Sequence, residues 1–204
     1  MLFEDTYNTI NLTTEGEFKD RGSKFIAYSI PVNTEKDVKE QLELIRKRHY
    51  DARHHCYAYR LGPDKSAYRI NDDGEPSGTA GKPIYGQILS KDLTNILIVV
   101  VRYFGGTKLG VSGLINAYKT STKEALEKAT IVTKTINDIY QIEFGYDDTN
   151  SVMRIIKEEG LKPYEQVYEE KCMLKVRARK KNSNRVYEQF NKINNLKIKY
   201  LYTS

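Results

Sequence analysis

Apolar residues follow a mixed rhythm of periods two and four up to about residue 133, and then restart in a new pattern. In the first stretch Lys24–Ile30 predicts a strand. Glu35–His49 predicts a helix, with Val38, Leu42, Ile45 and His49 on one stripe and Thr34 as its cap. Cys56–Leu61 and Ala67–Ile70 read as hairpin strands across the turn at Gly62, Pro63 and Asp64, and Thr79–Ser90 as a short helix. Asn95–Val101 carries the run ILIVVV, the mark of a strand buried on both faces. Leu114, Tyr118, Ala125 and Ala129 then share one helical stripe.

The pattern breaks near Thr133–Asp138, which predicts two domains, residues 1–133 and 137–204. In the second, Tyr140, Ile142, Phe144 and Tyr146 alternate with Gln141, Glu143 and Gly145. A helix follows from about Thr149 to Gly160, then strands over Tyr164–Glu170 and Lys171–Arg179. A second helix is marked by Val186, Phe190 and Ile193, and the last strand is Leu196–Tyr202. Strand, helix, strand, strand, helix, strand is the ferredoxin-like order. The expected fold class is therefore α+β.

Composition narrows the setting. No apolar stretch reaches the roughly 18 residues a membrane span needs, and the opening MLFEDTYNTI lacks a basic segment leading into an apolar one. Cys56 and Cys172 are the only cysteines and form no CxxC pair, which excludes a thiolate zinc site and gives no disulfide framework. A cytoplasmic protein with no membrane contact is expected. The surplus of positive charge is mild and even: 20 basic and 17 acidic residues up to residue 135, 13 and 10 after it. Phosphate partners are thereby permitted rather than demanded.

The strongest chemical signal is VVRYFGGTKLGVSGL. A buried strand runs into Arg102, then Gly105, Gly106, Lys108 and Gly110, then a helix. Glycines allow close backbone approach. A helix start offers unpaired N–H groups, and the two cations add charge that suits a phosphate or carboxylate. The GK[ST] ending of a nucleotide-hydrolysing loop is missing. The alternative is a tight turn whose glycines serve packing alone.

RINDDGEPSGTAGKPI brings Asp72, Asp73 and Glu75 within four positions, followed by Ser77 and Lys82. It reads either as a metal or acid/base loop or as a solvated turn with capping carboxylates. In DARHHCYAYRLG, His54 and His55 are adjacent on a strand and point to opposite faces, so they do not ligate one metal together. In EFKDRGSKF, Arg21 and Lys24 flank a turn at Gly22 and stand to complete a basic rim. In the C-terminal domain, Cys172, Leu174, Val176 and Ala178 form an apolar sheet face. Lys175, Arg177 and Arg179 lie on the opposite face, resembling an RNA platform without clear stacking aromatics.

These motifs carry a resemblance. IVVVRYFGGTKLG, HHCYAYRLG and NDDGEPSGTAGKPI, in that order, with RGSKF before them, resemble the signatures of the IMPACT family and of its bacterial YigZ-type branch, over essentially the whole chain. The resemblance implies a first domain of two α/β layers like domain IV of elongation factor G, and a ferredoxin-like second domain like its domain V. Eukaryotic IMPACT proteins regulate translation, and they carry an additional N-terminal domain that this sequence does not show ahead of its motifs.

The reading that follows is an RNA- or ribosome-associated binding protein with a role in translation regulation, with no cofactor, no metal and no assigned catalytic residue. Its anion- or RNA-binding residues would be Arg21, Lys24, Lys82, Arg102, Gly105, Gly106, Lys108 and Gly110. Asp72, Asp73, Glu75, Ser77, His54 and His55 would form a functional loop beside them. Two alternatives stay open: an enzyme acting on a small anionic substrate, and a protein-interaction module, for which the 16 tyrosines are suited.

Overall fold

A computed structural model describes residues 5–204; residues 1–4, part of the opening MLFEDTYNTI, lie outside the described residues. Two compact units emerge, Asn8–Lys134 and, separately, Thr135–Ser204 with the N-terminal residues up to Tyr7. Among the described residues no helix is long and apolar enough to cross a membrane.

In the Asn8–Lys134 unit the strands β2 (Thr14–Asp20), β3 (Ser23–Pro31), β4 (His54–Leu61), β5 (Ala67–Asn71) and β6 (Ile96–Tyr103) form one sheet. Its order is β2-β3-β6-β4-β5, and every pairing is antiparallel. The apolar run is the central strand β6. Ile96, Ile98 and Val100 pack under helices α2 (Gly81–Ser90) and α3 (Gly110–Glu127), with Ile84, Ile88, Leu114 and Tyr118. Leu97, Val99 and Val101 face the other way, against Val38, Leu42 and Ile45 of α1 (Glu35–Arg48). Each residue of β6 from Ile96 to Val101 thus enters one core or the other, which is why the run has no polar position. To the two layers the resemblance implies, α1 adds cover on the second face.

Helix α1 starts where expected. Thr34 Oγ1 accepts from the Asp37 backbone N–H, and Asp37 accepts from the Thr34 N–H in return. Three strands, β1 (Thr6–Ile10), β2 and β7 (Ile131–Thr135), escaped the hydrophobic pattern, two of them for simple reasons. The only buried residue of β2 is Gly16, and β7 has none, so neither leaves an apolar trace. β1 pairs with β7 in a separate two-stranded sheet.

His49, on the apolar stripe of α1, proves to be the hub of a buried polar chain. Its Nε2 lies 2.8 Å from Tyr28 Oη and its Nδ1 2.8 Å from Tyr103 Oη, while Tyr103 donates to Asp51. With Tyr103's proton committed to Asp51, Nδ1 of His49 is the donor to Tyr103 Oη. Burial depresses the affinity of His49 for a proton, helped by the nearby Arg48. Burial does the same to His55, whose Nε2 donates to the His49 carbonyl. A histidine kept neutral in the fold is protonated more readily when unfolded, near its ordinary pKa of 6.5. Stability should therefore hold above that pH and fall as pH drops below it, before the carboxylates titrate. Urea unfolding from pH 8 to pH 5 tests this, and a midpoint that holds or rises below pH 6.5 contradicts it.

In the Thr135–Ser204 unit, β8 (Asn137–Phe144), α4 (Thr149–Glu158), β9 (Pro163–Tyr168), β10 (Cys172–Arg179), α5 (Ser183–Asn191) and β11 (Lys197–Thr203) follow the ferredoxin-like order. The sheet runs β11-β8-β10-β9, antiparallel throughout. Cys172, Leu174, Val176 and Ala178 line its core with Val152, Ile155, Val186 and Phe190 from the two helices. Buried Asp138 ties the unit together: its carboxylate accepts from Lys180, Ser183 and Thr203 at 2.5–3.0 Å. Burial works against its charge, but those donors hold its pKa below the usual value.

The opposite sheet face differs from its expected form in one respect. The register of β11 slips between Tyr200 and Tyr202, pairing Tyr202 with Ile139 and turning it to the open side. Tyr164 of β9 is there too, with the Arg177 guanidinium 4.9 Å from its ring centre. Both aromatics sit on edge strands. The central strands present Gln141, Glu143, Met173 and Lys175, and Lys175 is ion-paired with Glu165.

Candidate functional site

The register of β6 assembles the site. Arg102 stands directly between Phe25 on β3 and His54 on β4, at the end of the central strand. Its guanidinium is buried under α3 and Nη1 donates to Glu75 Oε1 at 2.6 Å. The same oxygen accepts from Tyr118 Oη at 2.8 Å, and His54 Nε2 lies 4.0 Å away. His54 Nδ1 donates to the Asp73 carbonyl at 2.8 Å, an orientation that turns Nε2 towards Glu75. Tyr118 in turn receives a weak bond from Cys56 Sγ. Burial pushes both the Cys56 thiol and the Tyr118 phenol far above their ordinary pKa values, so neither ionises near neutrality. Cys56 is no activated nucleophile.

The loop after β5 delivers Glu75 by using its two aspartates for folding. Asp72 accepts from the backbone N–H groups of Gly78, Ala80 and Gly81, closing the loop onto the start of α2. Burial opposes its charge; the three N–H donors and Lys82 nevertheless hold its pKa low. Asp73 turns to the opposite side of the sheet and accepts from the His55 backbone N–H at 2.6 Å. Only Glu75 points into the space beyond Arg102. The three carboxylates therefore diverge, and among the described residues no group of three or more His, Cys, Asp or Glu could hold a metal ion. Asp72 thus caps the start of α2, and Asp73 ties the loop to β4.

That space is a half-open cavity of about 490 Å³. Arg53, His54, Glu75, Arg102 and Lys108 supply its polar lining, Phe104, Leu109, Val111 and Leu114 the apolar remainder. Helix α3 begins at Gly110 with no side-chain cap, so the first-turn N–H groups meet no side-chain acceptor there. Three cations face one carboxylate, and that carboxylate is already engaged by Arg102 and Tyr118.

Of the residues expected from sequence, Arg102, Lys108, Gly110, His54 and Glu75 meet in this cavity. The others do not line it. Lys24 is ion-paired with Glu17 at 2.8 Å, and Arg21, Ser77 and Lys82 are exposed elsewhere on the unit. His55 points into the α1 side, to the His49 carbonyl. Gly105 is a packing residue: a Cβ there would lie 1.9 Å from the Gly22 carbonyl carbon, and its N–H donates to Ser23 Oγ. Gly106, at φ +87°, is open to solvent on its Cβ side. Sequence reasoning passed over Phe104 and Tyr118 as site residues. The signal for Tyr118 was a hydroxyl on an otherwise apolar helical stripe; for Phe104 it was an aromatic beside a glycine pair, where no core awaits it.

Residues 21–126, which contain every element of this cavity, match the sequence profile of the Impact N-terminal domain. The chain belongs to the IMPACT family. The IMPACT family member YvyE of Bacillus subtilis is 33% identical over 93% of this chain and 88% of its own length. The family member YigZ of Escherichia coli is 38% identical over 66% of this chain and 67% of its own, in keeping with a YigZ-type member. A crystal structure of a hypothetical protein covers 98% of this chain and 99% of its own, with TM-score 0.75 and 26% identity. The two-domain translational regulator Yih1 is also 26% identical, over 63% of this chain and 49% of its own, with TM-score 0.36.

Proposed function

We propose that this IMPACT family member is an RNA- or ribosome-associated binding protein acting in the regulation of translation. The supporting observation is the cavity at the end of β6, where Arg53, Arg102, Lys108 and an uncapped helix start face a single engaged carboxylate. One buried and two exposed cations beside backbone N–H groups that lack a side-chain cap suit phosphate oxygens, and such contacts supply a large share of the affinity for nucleic acid. Yih1, a relative, is a translational regulator. The basic open face of the C-terminal sheet, with Arg177 over Tyr164, would add a second contact area.

Co-sedimentation with ribosomes and binding to structured RNA at 50 and 200 mM salt test the proposal. Binding should fall by at least about tenfold between them if several phosphates are contacted. Absent or salt-independent binding would rule the proposal out. Lys108→Glu should weaken binding more than Lys39→Glu on the far side of α1.

A second reading is favoured by one observation. His54 Nε2 faces the cavity 4.0 Å from Glu75, an arrangement able to move a proton on a small anionic substrate. His54→Gln tests it: loss of turnover on such a substrate with binding intact would support an enzyme over a binding protein.

A further inference from the structure

The cavity at the end of β6 is built for more than charge. Bare phosphate is bound well by cations and N–H groups alone and gains nothing from an apolar wall. Here Leu109, Val111 and Leu114 form one, and Phe104 stands beside it 41% exposed. The guanidinium carbons of Arg53 and Arg102 lie 5.8 and 5.6 Å from the Phe104 ring centre, so the aromatic is held against cations rather than left loose. Arg102 is itself 5% exposed, and its Nε has no acceptor among the described residues. A buried guanidinium bonded through Nη1 alone keeps donor capacity that its surroundings do not use. The volume, about 490 Å³, falls in the range of small-molecule sites rather than single-ion sites.

We infer that the cavity takes one whole nucleotide, its phosphate held by Arg102, Lys108 and the start of α3 and its base laid on Phe104 and the apolar wall. This rests on the reading of the same cavity as the anion site. Glu75 does not oppose it as a free charge, because Oε1 is bonded to both Arg102 and Tyr118. A nucleoside monophosphate and an unstacked nucleotide of single-stranded RNA present the same chemistry, and the experiment separates them.

Binding is measured for inorganic phosphate, AMP, UMP, a single-stranded RNA oligonucleotide and a blunt RNA duplex. The proteins are wild type, Phe104→Ala, Phe104→Tyr and Lys108→Glu, each checked for an unchanged melting temperature. The exposure of Phe104 makes its removal tolerable to the fold. The nucleotides should bind more tightly than phosphate, and the single strand more tightly than the duplex. Phe104→Ala should weaken nucleotide and single-strand binding by about tenfold, as loss of one stacked base does, and phosphate binding by much less. Phe104→Tyr should restore it.

Phosphate binding as tightly as AMP, or nucleotide binding indifferent to Phe104→Ala, would overturn the inference. RNA binding that still responds to Lys108→Glu would then leave the binding proposal standing. Conversely, Phe104-dependent AMP binding with no RNA binding would support the nucleotide site and overturn the RNA proposal. No binding of any nucleotide or single strand overturns both.

Discussion

Replacing Glu75 by alanine should cost the Asn8–Lys134 unit about 3–5 kcal/mol, the loss typical of breaking one side of a buried ion pair. The side chains of Arg102 and Glu75 are 7% and 4% exposed, so neither can turn to water when its partner goes. The substitution strips Arg102 of its acceptor at Nη1 and Tyr118 of its acceptor as well. Two donors would then be buried unpaired beside an Arg102 Nε that already has no partner among the described residues. Glu75→Gln should cost less, since an amide oxygen still accepts from both. Urea unfolding of the three proteins checks the order. A Glu75→Ala protein as stable as wild type would mean that Arg102 and Tyr118 find other acceptors, and that the pair is not what fixes the cavity floor.

Gly105→Ala should be comparably severe, above about 4 kcal/mol, a loss seen only where something specific breaks. The new Cβ would stand 1.9 Å from the Gly22 carbonyl carbon and 2.2 Å from the Ser23 nitrogen. Those are backbone atoms on a neighbouring turn, so no rotamer relieves the clash. Gly106→Ala, one residue on, meets nothing within 4 Å, and its cost is the left-handed backbone at φ +87°, about 1–2 kcal/mol. Thermal melts of the two variants separate packing from conformation within one glycine pair. Equal losses, or a larger one at Gly106, would contradict this division of roles.

Much of this was legible before any coordinates. The unbroken apolar run named the central strand, and the two hydrophobic rhythms separated the ferredoxin-like order from what precedes it. The motif around Arg102, Lys108 and Gly110 pointed to the cavity because a strand end, positive-φ glycine and helix start are local features that short sequence encodes. What failed was long-range. Whether Asp72, Asp73 and Glu75 converge depends on the Asn71–Gly81 loop, where Asp72 turns back to the α2 start and Asp73 to β4. Spacing along the chain says nothing about that. Lys24 faces Glu17 across a hairpin rather than the cavity, a consequence of the β2–β3 register. Tyr202 reaches the open face through a one-residue slip in β11, which alternation cannot foresee. His49 carried helical spacing that read as core, and the core it joined was polar.

The central claim is that the cavity at the end of β6 holds nucleic-acid phosphate, and the salt dependence of RNA affinity tests it most directly. Binding of a single-stranded RNA is titrated from 50 to 300 mM salt for wild type, Lys108→Glu and Lys39→Glu. The account expects a steep wild-type dependence, a Lys108→Glu slope shallower by at least about one, the mark of a lost phosphate contact, and a Lys39→Glu slope like wild type. A Lys108→Glu protein with wild-type affinity and slope would contradict it.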